Sequence, residues 1–389
     1  MVLSASLPVQ SGAFAPARSA PFFEGLLPEG AVRASIARSF HLSEEDGFGL
    51  LKALGADCAG AVTLLPPDVE PGLRRGKEGP NLFGDELGRL IEELPQHPLG
   101  IDLKPDGVRL SLGGIQPKLV LAGSFAIHGI VGGRILTGFC QPLDGAPSTC
   151  LLKPESGEYE YLVANEAFCM GIARSVGLEA AETDMIEIGA TPCLYAERFD
   201  RMRDGLLVTR VHQEDMCQAL GMLPAAKYEE NGGPSVAVIV DLLRRLRGPR
   251  MARDINDFIH AVLINFLLGN SDAHGKNFAL LYSLDSGIRL APLYDIVSTA
   301  VYPDVTDRMA MAIGGEVDPG QVDLAAWGRL AEECGLGGGV AAVVRRRAEA
   351  TVRVVERHRE IVIDNGRYRP VVDAIVEVCR KRAAQLTGG

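Results

Sequence analysis

Apolar and polar positions follow two different periods along the chain, alternating between about residues 101 and 200 and showing helical spacing after that. In the alternating region, the β-type runs VRLSLGG, PKLVLAG, GRILTGF and TCLLKPE are separated by Gly and Pro, which predicts an antiparallel sheet. MIEIGATPCLYAERFDR adds two predicted strands around a Gly-Ala-Thr-Pro turn. The spacing of NEAFCMGIARSVGL predicts an amphipathic helix with Asn165 as its N-cap.

Helical spacing dominates beyond Asp200. The segments EDMCQALGM, SVAVIVDLLRRLR and DINDFIHAVLINFLLG are predicted to be helices, because their apolar residues recur on one face. A strand pair, FALLYS and GIRLAPLYD, is predicted next, with Asp295 at the end of the second strand. Two long helices, over about residues 339–362 and 370–386, are predicted to finish the chain.

The N-terminal region has a weaker pattern, and residues 1–20, rich in Ser, Ala and Pro, are predicted to be irregular. Helices are predicted for AVRASIARSF, for EEDGFGLLKALG with a stop at Gly55, and for NLFGDELGRLIEEL, whereas VTLLPP predicts a strand. The chain is therefore expected to have an α+β fold with a small N-terminal subdomain (1–100), a β-rich lobe (101–200) and a helical lobe (201–389).

The composition is that of a globular protein, and the net charge of -11 changes the picture of its partners. An acidic surface repels phosphate backbones, which argues against direct nucleic-acid binding and favours a basic partner protein. No apolar run reaches the length of a membrane span, and MVLSASLPVQ lacks the features of a signal peptide. A cytoplasmic location without membrane association is predicted.

The eight cysteines form no C-x-x-C pair and no cluster with zinc spacing. Most lie in apolar contexts such as AFCMG and VEVCR. They are predicted to be small buried hydrophobic residues in a reducing compartment.

The segment LINFLLGNSDAHGKN (263–277) ends an apolar helix in a burst of polar groups. Asp272 and Asn277 are five positions apart on the predicted loop, and Asp295 follows the next strand pair. Their oxygens suit a hard cation such as Mg²⁺. D-x-x-x-x-N is the spacing of the protein-kinase catalytic loop, in which Asp is the base and Asn a metal ligand, although the Phe-Gly that follows the later metal-binding Asp of kinases is absent here.

The β-rich region offers the groups that would hold a nucleotide. SLGGIQPK (111–118) lies between two predicted strands, so its N–H groups could face phosphates, although it is not a Walker A loop. Lys153 ends the strand of LLKPE, and Glu166 in the next helix is either its ion-pair partner or a first-turn Glu favoured by the helix dipole. YAERFD (195–200) could bond adenine through its backbone, with Phe199 packed on the ring.

Together these motifs resemble the HipA family of bacterial toxin kinases. The matching segments recur in order over about residues 20–316 and are PFFEGLLPEG, FGLLKALGADCAGAV, SLGGIQPKL, LLKP, NEAFCM, ERFDR, HQEDMCQALG, GNSDAHGKNFALL, LAPLYD and MAMAIGGE.

The resemblance implies a two-lobed serine/threonine protein-kinase-like fold that uses ATP and Mg²⁺. It implies Asp272 as the catalytic base and Asn277 and Asp295 as the metal ligands. Ser111 matches the serine that the family autophosphorylates; a phosphate there would repel ATP from the loop that should hold it, which suggests a switch. The ATP-binding residues that it implies are Gly113, Gly114, Ile115, Gln116, Pro117, Lys118, Lys153, Glu197, Arg198, Phe199, His274, Gly275, Lys276, Asn277, Tyr294 and Asp295.

The resemblance also implies partners. The family acts in toxin–antitoxin pairs with a helix-turn-helix antitoxin of the HipB type, which carries the kinase to DNA, so DNA contact is expected to be indirect. Known targets in the family are aminoacyl-tRNA synthetases. Family members usually carry a β-rich stretch before the region of LPVQ, where this chain opens. The expectation is a start site further upstream or a separate small protein that supplies those strands.

Three other functions remain open from the sequence. A small-molecule phosphotransferase uses the same D-x-x-x-x-N spacing followed by an Asp. A degenerate kinase could serve only as a corepressor of its operon, although the presence of Lys153 and of the Asp and Asn residues above argues against decay. A metal hydrolase would use Asp272, His274 and Asp295, but a single His is a poor ligand set for it.

Overall fold

The computed structural model describes residues 2–65, 67, 78–82, 84–94, 99, 116–126, 135–142, 146–204, 207–283, 287–362 and 366–388. Contacts divide the chain into two compact units that are interleaved along the sequence. The first unit comprises Met1–Phe22, Ser156–Ala181 and Glu214–Gly389, and the second comprises Phe23–Glu155 and Glu182–Gln213. The division into 1–100, 101–200 and 201–389 stays a prediction.

The helices are α1 (Pro16–Gly25), α2 (Gly30–Ser39), α3 (Gly47–Leu54), α4 (Gly84–Glu93), α5 (Leu162–Ser175), α6 (Met216–Leu220), α7 (Val236–Leu246), α8 (Met251–Leu268), α9 (Leu324–Glu333), α10 (Val340–Val362) and α11 (Arg369–Thr387). The strands are β1 (Glu78–Leu82), β2 (Leu119–Ala126), β3 (Ile135–Pro142), β4 (Cys150–Pro154), β5 (Thr183–Ile188), β6 (Thr191–Glu197), β7 (Arg201–Asp204), β8 (Leu207–Arg210), β9 (His212–Asp215), β10 (Ala279–Ser283) and β11 (Gly287–Leu290). Within the described ranges, every helix is too short or too polar to cross a membrane.

The second unit is built on a six-stranded sheet with the order β1-β3-β2-β4-β6-β5. Each neighbouring pair in it is antiparallel, which confirms the sheet type that the alternating runs predict. Leu87 and Ile91 of α4, and Leu94 directly after it, belong to a core that includes Leu119 and Leu152 of the sheet. The spacing of four residues places Leu87 and Ile91 on one face of the helix, and the burial of the three side chains holds α4 on the sheet.

The first unit is mainly helical, and its central element is α8, which is buried along most of its length. Phe258 of α8 meets Phe278 edge to face with ring centroids 5.0 Å apart, and Phe266 meets Trp327 of α9 at 6.5 Å. A small sheet of order β11-β10-β9 follows α8 in the chain. The predicted helices over SVAVIVDLLRRLR, DINDFIHAVLINFLLG and the two C-terminal segments are confirmed, whereas EDMCQALGM is helical only over Met216–Leu220, because its first two residues belong to β9.

All eight cysteines are buried and free, which confirms that they serve as small core residues. Burial raises the pKa of the Cys58 and Cys379 thiols to about 12.

Several local predictions are wrong. Residues 16–20 are helical rather than irregular, because α1 begins at Pro16, where proline is well tolerated in a first helical turn. VTLLPP forms no strand over residues 62–65. Charged or polar strands β7, β8 and β9 were missed, because RMRD, LVTR and HQED lack a clear apolar alternation. Helix α9 was also missed.

Asn165 is not the N-cap of α5, which begins at Leu162 after Tyr161. It lies fully buried inside the helix. Its Oδ1 accepts from the N–H of Ser298 at 2.8 Å, and its Nδ2 donates to the Ser298 carbonyl at 2.9 Å. Asn165 therefore ties α5 to the segment after Asp295, a tertiary role that a local cap pattern does not reveal.

Candidate active site

The polar segment 270–277 begins where α8 is forced to stop. Gly269 adopts φ 78° and its N–H closes the helix on the carbonyls of Asn265 and Phe266. A Cβ on Gly269 would lie 2.8 Å from the Ala300 Cβ and from the Val378 Cγ1, so both the backbone angle and the packing require glycine. The end of the buried helix α8 therefore fixes the position at which the polar segment 270–277 begins.

A relay of amides fixes the backbone of the loop. Asn265 in α8 donates through Nδ2 to the Ala261 carbonyl at 2.9 Å. Asn270 donates through Nδ2 to Asn265 Oδ1 at 2.7 Å and accepts from the N–H of Asp272 at 3.1 Å. Both asparagines are buried, so Asp272 is anchored to the helix through its main chain.

The carboxylate of Asp272 points outward, with 53% of its side chain exposed. Tyr228 donates its hydroxyl to Asp272 Oδ1 at 2.6 Å. Asp272 Oδ2 lies 4.0 Å from His274 Nε2, which is longer than a hydrogen bond. An accessible carboxylate on a fixed backbone can accept a proton from an incoming hydroxyl group.

Residues 275–277 form a short 3₁₀ turn that brings Asn277 to Asp295. Asn277 Oδ1 accepts from the His274 N–H at 3.3 Å, and its Nδ2 donates to Asp295 Oδ2 at 3.3 Å. Asp295 has φ 60°, an uncommon conformation for a residue other than glycine. The prediction that Asp295 ends a strand is wrong, because β11 stops at Leu290 and Asp295 follows in a loop.

The chemistry of Asn277 and Asp295 fits Mg²⁺, which prefers oxygen ligands from few protein groups and keeps several waters. Asp295 supplies carboxylate oxygens, whereas the Asn277 amide presents Nδ2 to Asp295 and would have to rotate to present Oδ1. The two side chains could therefore hold this ion after one amide rotation. In the described part of the chain, no three His, Cys, Asp or Glu side chains group as a metal site, so Asp272, His274 and Asp295 do not form one.

Lys276 is held from both ends. Its Nζ donates to Asp215 Oδ2 at 2.8 Å, with about a tenth or less of either side chain exposed, and its carbonyl accepts from the Tyr294 hydroxyl at 2.7 Å. Asp215 is also the N-cap of α6, in a capping box with Gln218. Sequence reasoning missed Asp215 and Tyr228; the Asp-x-x-Gln spacing signals the cap but not the ion pair with Lys276.

The remaining predicted ATP-binding residues belong to the second unit or lie outside the described residues. Ser111, Gly113, Gly114 and Ile115 are not among the described residues. Lys153 lies in β4, in register with Leu194 of β6, and is buried. Gln116 is half-buried, Pro117 exposed and Lys118 buried, just before β2. Glu166, the suggested partner of Lys153, is a buried residue of α5 in the first unit.

The segment after β6 already uses many of its polar groups. The N–H of Glu197 donates to the Glu182 carbonyl at 2.8 Å, and the N–H of Arg198 donates to the Thr149 carbonyl at 2.9 Å. These two N–H groups are satisfied within the unit. An adenine contact from this segment would therefore draw on carbonyl oxygens or on the half-buried ring of Phe199.

The guanidinium of Arg198 is part of a buried ionic network. Arg198 binds both oxygens of Asp200, at 2.9 and 2.7 Å, and donates to Ser148 Oγ at 2.7 Å. Arg201 binds Asp57 Oδ1 at 2.9 Å and lies 3.0 Å from Asp200 Oδ2. The Arg198 side chain therefore faces the protein, and any nucleotide contact of this residue would come from its main chain.

The ionic network shifts the pKa of its acids. Burial by itself raises the pKa of Asp200, but the guanidinium groups of Arg198 and Arg201 outweigh it and hold this pKa at about 2. Burial likewise opposes ionisation of Asp57, and Arg201, Arg198 and Arg210 hold its pKa below the ordinary value.

Family models match most of the chain. Residues 110–360 match the HipA-like C-terminal domain, and residues 1–65 match the HipA N-terminal domain.

Individual relatives agree. "Putative kinase Y4mE" of Sinorhizobium fredii is 39% identical over 387 residues, which cover 96% of this chain and 87% of that protein. "Serine/threonine-protein kinase toxin HipA" of Shewanella oneidensis is 33% identical over 318 residues, covering 77% of this chain and 68% of that protein.

A solved structure from Shewanella oneidensis, of the toxin–antitoxin system HipA, HipB and operator DNA, superposes with a TM-score of 0.83. The match is 27% identical and covers 100% of this chain and 89% of that one. The predicted α+β, protein-kinase-like fold is thereby confirmed. On these sequence and structural matches, the chain belongs to the HipA family.

Proposed function

We propose that this protein is an ATP- and Mg²⁺-dependent serine/threonine protein kinase and the toxin of a HipBA-like toxin–antitoxin system. The observation that carries the proposal is the loop 270–277, in which an outward-facing Asp272 stands on a fixed backbone and Asn277 reaches Asp295 at 3.3 Å. Kinship with proteins named as kinases supports the same reading.

In this proposal Asp272 takes the proton of the acceptor hydroxyl while the hydroxyl oxygen forms a bond to the γ-phosphorus of ATP. The bond from that phosphorus to the β,γ-bridging oxygen breaks, and ADP leaves. Asn277 and Asp295 would hold Mg²⁺, which would supply positive charge to neutralise the phosphates. Lys153 is proposed to lie against those phosphates, with Gly113 to Lys118 as the phosphate loop.

The finer parts of the proposal concern regulation and partners. Ser111 is proposed as an autophosphorylation site, and an aminoacyl-tRNA synthetase as the protein substrate. A helix-turn-helix antitoxin is proposed as partner, because the similar solved structure contains HipA with HipB and operator DNA. The net charge of -11 supports indirect DNA contact through the antitoxin, and a cytoplasmic location is proposed with it.

The experiment compares wild type with Asp272→Ala in ATP and Mg²⁺, following phosphate transfer to the protein itself and to purified aminoacyl-tRNA synthetases. Removing the base is expected to lower the transfer rate by about 10²–10⁴-fold. The free energy of unfolding is expected to change by no more than about 0.5 kcal/mol, because the side chain is half exposed.

Asp241→Ala is the matched control and is expected to keep wild-type activity, since Asp241 is an exposed residue of α7 that pairs with Arg245 on the surface. Full transfer by Asp272→Ala would refute the proposed role of Asp272. Transfer to a small-molecule acceptor such as an aminoglycoside, with none to protein, would favour the phosphotransferase alternative.

A further inference from the structure

A tyrosine outside the recognised motifs contacts the proposed catalytic base. Tyr228 lies between α6 and α7, in a segment that the sequence marks only as turn-rich, KYEENGGP. Its hydroxyl donates to Asp272 Oδ1 at 2.6 Å, a length typical of a bond to an ionised carboxylate. The contact spans 44 residues of sequence, so it is a product of the fold.

The segment that carries Tyr228 is bonded to the rest of the first unit on both sides of the tyrosine. The N–H of Gly275, in the catalytic loop, donates to the Lys227 carbonyl at 3.1 Å. On the other side, the N–H of Glu229 donates to the Ala310 carbonyl at 3.0 Å. These backbone bonds make Tyr228 a fixed neighbour of the loop.

Packing adds to this constraint. A Cβ on Gly275 would lie 2.6 Å from the Cγ of Pro234, so the loop and the Tyr228 segment approach each other without space for another side chain. The Tyr228 ring meets the His274 ring edge to face, with centroids 5.1 Å apart and planes at 85°. The ring is therefore held in the orientation that aims its hydroxyl at Asp272.

Asp272 needs such a partner because the amide relay fixes only its main chain. Its side chain is half exposed, and an exposed carboxylate can rotate among several rotamers. A short hydrogen bond to Oδ1 restricts this rotation. Because an ionised carboxylate has about four acceptor positions, Oδ2 can still accept the proton of an incoming hydroxyl.

We propose that Tyr228 is the positioning residue for the base Asp272, holding Oδ1 so that Oδ2 faces the acceptor hydroxyl. The inference rests on the proposed function, since it takes Asp272 as the base. It adds that the segment between α6 and α7 is part of the catalytic machinery.

The test is Tyr228→Phe, which removes the hydroxyl and keeps the ring against His274. The kcat for transfer to the protein substrate, or to Ser111 if no external acceptor is known, is expected to fall by about 10- to 100-fold, because small errors in placement are costly. The KM for ATP and the binding of a fluorescent ATP analogue are expected to stay within about twofold. In an Asp272→Ala background the same change should have no further effect.

Tyr302→Phe is the matched control, because it also removes a hydrogen-bonded hydroxyl from the first unit, one that donates to the Glu160 carbonyl. It is expected to keep wild-type kcat. An unchanged kcat in Tyr228→Phe would overturn the inference. A variant in which only the KM for the acceptor changes, and falls, would also overturn it, because the Tyr228 hydroxyl would then compete with the acceptor hydroxyl for Asp272.

Phosphate on Tyr228 in the wild type would also overturn the inference, since the residue would then be an acceptor. The two proposals fail separately. An active Asp272→Ala variant removes the proposed base, whereas an inactive Asp272→Ala beside a fully active Tyr228→Phe removes only the positioning role.

Discussion

Asp57 and Asp272 are the same residue type in two opposite settings. Asp57 is fully buried and meets Arg201 and Arg210 at 2.9 and 3.0 Å. Asp272 is half exposed and receives a neutral tyrosine hydroxyl. A buried charge needs opposite charges to compensate for lost hydration, whereas an exposed one keeps water and needs only direction.

The difference separates stability from chemistry. In the second unit, the ionic network consumes its own charges, with each acid bound to guanidinium groups and a pKa held low. In the first unit, Asn265 and Asn270 hold the backbone of Asp272, the Tyr228 hydroxyl donates to its carboxylate, and Asn277 donates to Asp295. We therefore expect substitutions in the ionic network mainly to lower the free energy of unfolding, and substitutions in the loop mainly to lower the rate of phosphate transfer.

The largest effect on stability is expected from Asp57→Ala. The change leaves Arg201 and Ser148 buried without the carboxylate that binds them, and should lower the free energy of unfolding by about 3–5 kcal/mol. Urea unfolding followed by circular dichroism measures it. Asp241→Ala, an exposed carboxylate in an i,i+4 pair, should cost no more than about 0.5 kcal/mol. Equal losses of unfolding free energy in the two variants would contradict the difference between buried and exposed aspartates.

A smaller effect is expected from pH, through Asp200. Its folded pKa of about 2 lies below the ordinary 3.8, so the unfolded chain binds the proton first as pH falls. The stabilisation is therefore complete above about pH 4 and is lost between about pH 4 and pH 2, amounting to about 2 kcal/mol.

The midpoints of urea unfolding at pH 4, 3 and 2 give the slope of the free energy of unfolding against pH. Other carboxylates titrate in the same window, so the decisive quantity is the difference from Asp200→Asn. That variant should be less stable at pH 4 and should lose less stability on acidification. An identical slope in both proteins would mean that Asp200 does not titrate with the network.

The smallest effect on stability is expected from Asn270→Ala in the amide relay. The change removes neutral hydrogen bonds to Asn265 and to the Asp272 N–H, worth about 1 kcal/mol in the free energy of unfolding. The transfer rate should fall by more than this loss of stability alone would cause, because the backbone of Asp272 loses its anchor.

Thermal unfolding and the transfer assay on the same preparation measure both quantities. The control is Asn256→Ala, an exposed asparagine of α8 that donates to the carboxylate of Asp257 and accepts from Arg347. A loss of stability as large as that of Asp57→Ala, or full activity, would contradict the division between a stabilising network and a catalytic loop.

Much of the fold follows from the sequence because each core helix or strand repeats its apolar residues with the period of its own type of secondary structure. Helix α8 and the strands of the six-stranded sheet carry that signal, since each must bury a face. Strands β7 to β9 do not carry it. They are short and lack a buried apolar stripe; β7 and β8 pair with each other in a two-stranded sheet, whereas β9 lies next to β10, which is distant in the sequence.

The site shows the same limit. The polar run at 270–277 is visible in the sequence, and the structure brings Asn277 next to Asp295, 18 residues later. Tyr228 and Asp215 reach the loop from 44 and 61 residues away, and no local pattern encodes those contacts. Asp57 is the extreme case, since ADCAG gives no hint of an arginine 144 residues further on.

The eight buried cysteines give the protein a built-in reporter of its own opening. Burial raises the thiol pKa of Cys58 and Cys379 to about 12, and that of Cys334 to about 11, so almost no thiolate is present near neutral pH. A maleimide or an aromatic disulfide in solution can therefore react only with molecules that have transiently exposed these side chains. The pace at which mass spectrometry finds each modified cysteine would give the opening frequency of its neighbourhood, with no engineered probe.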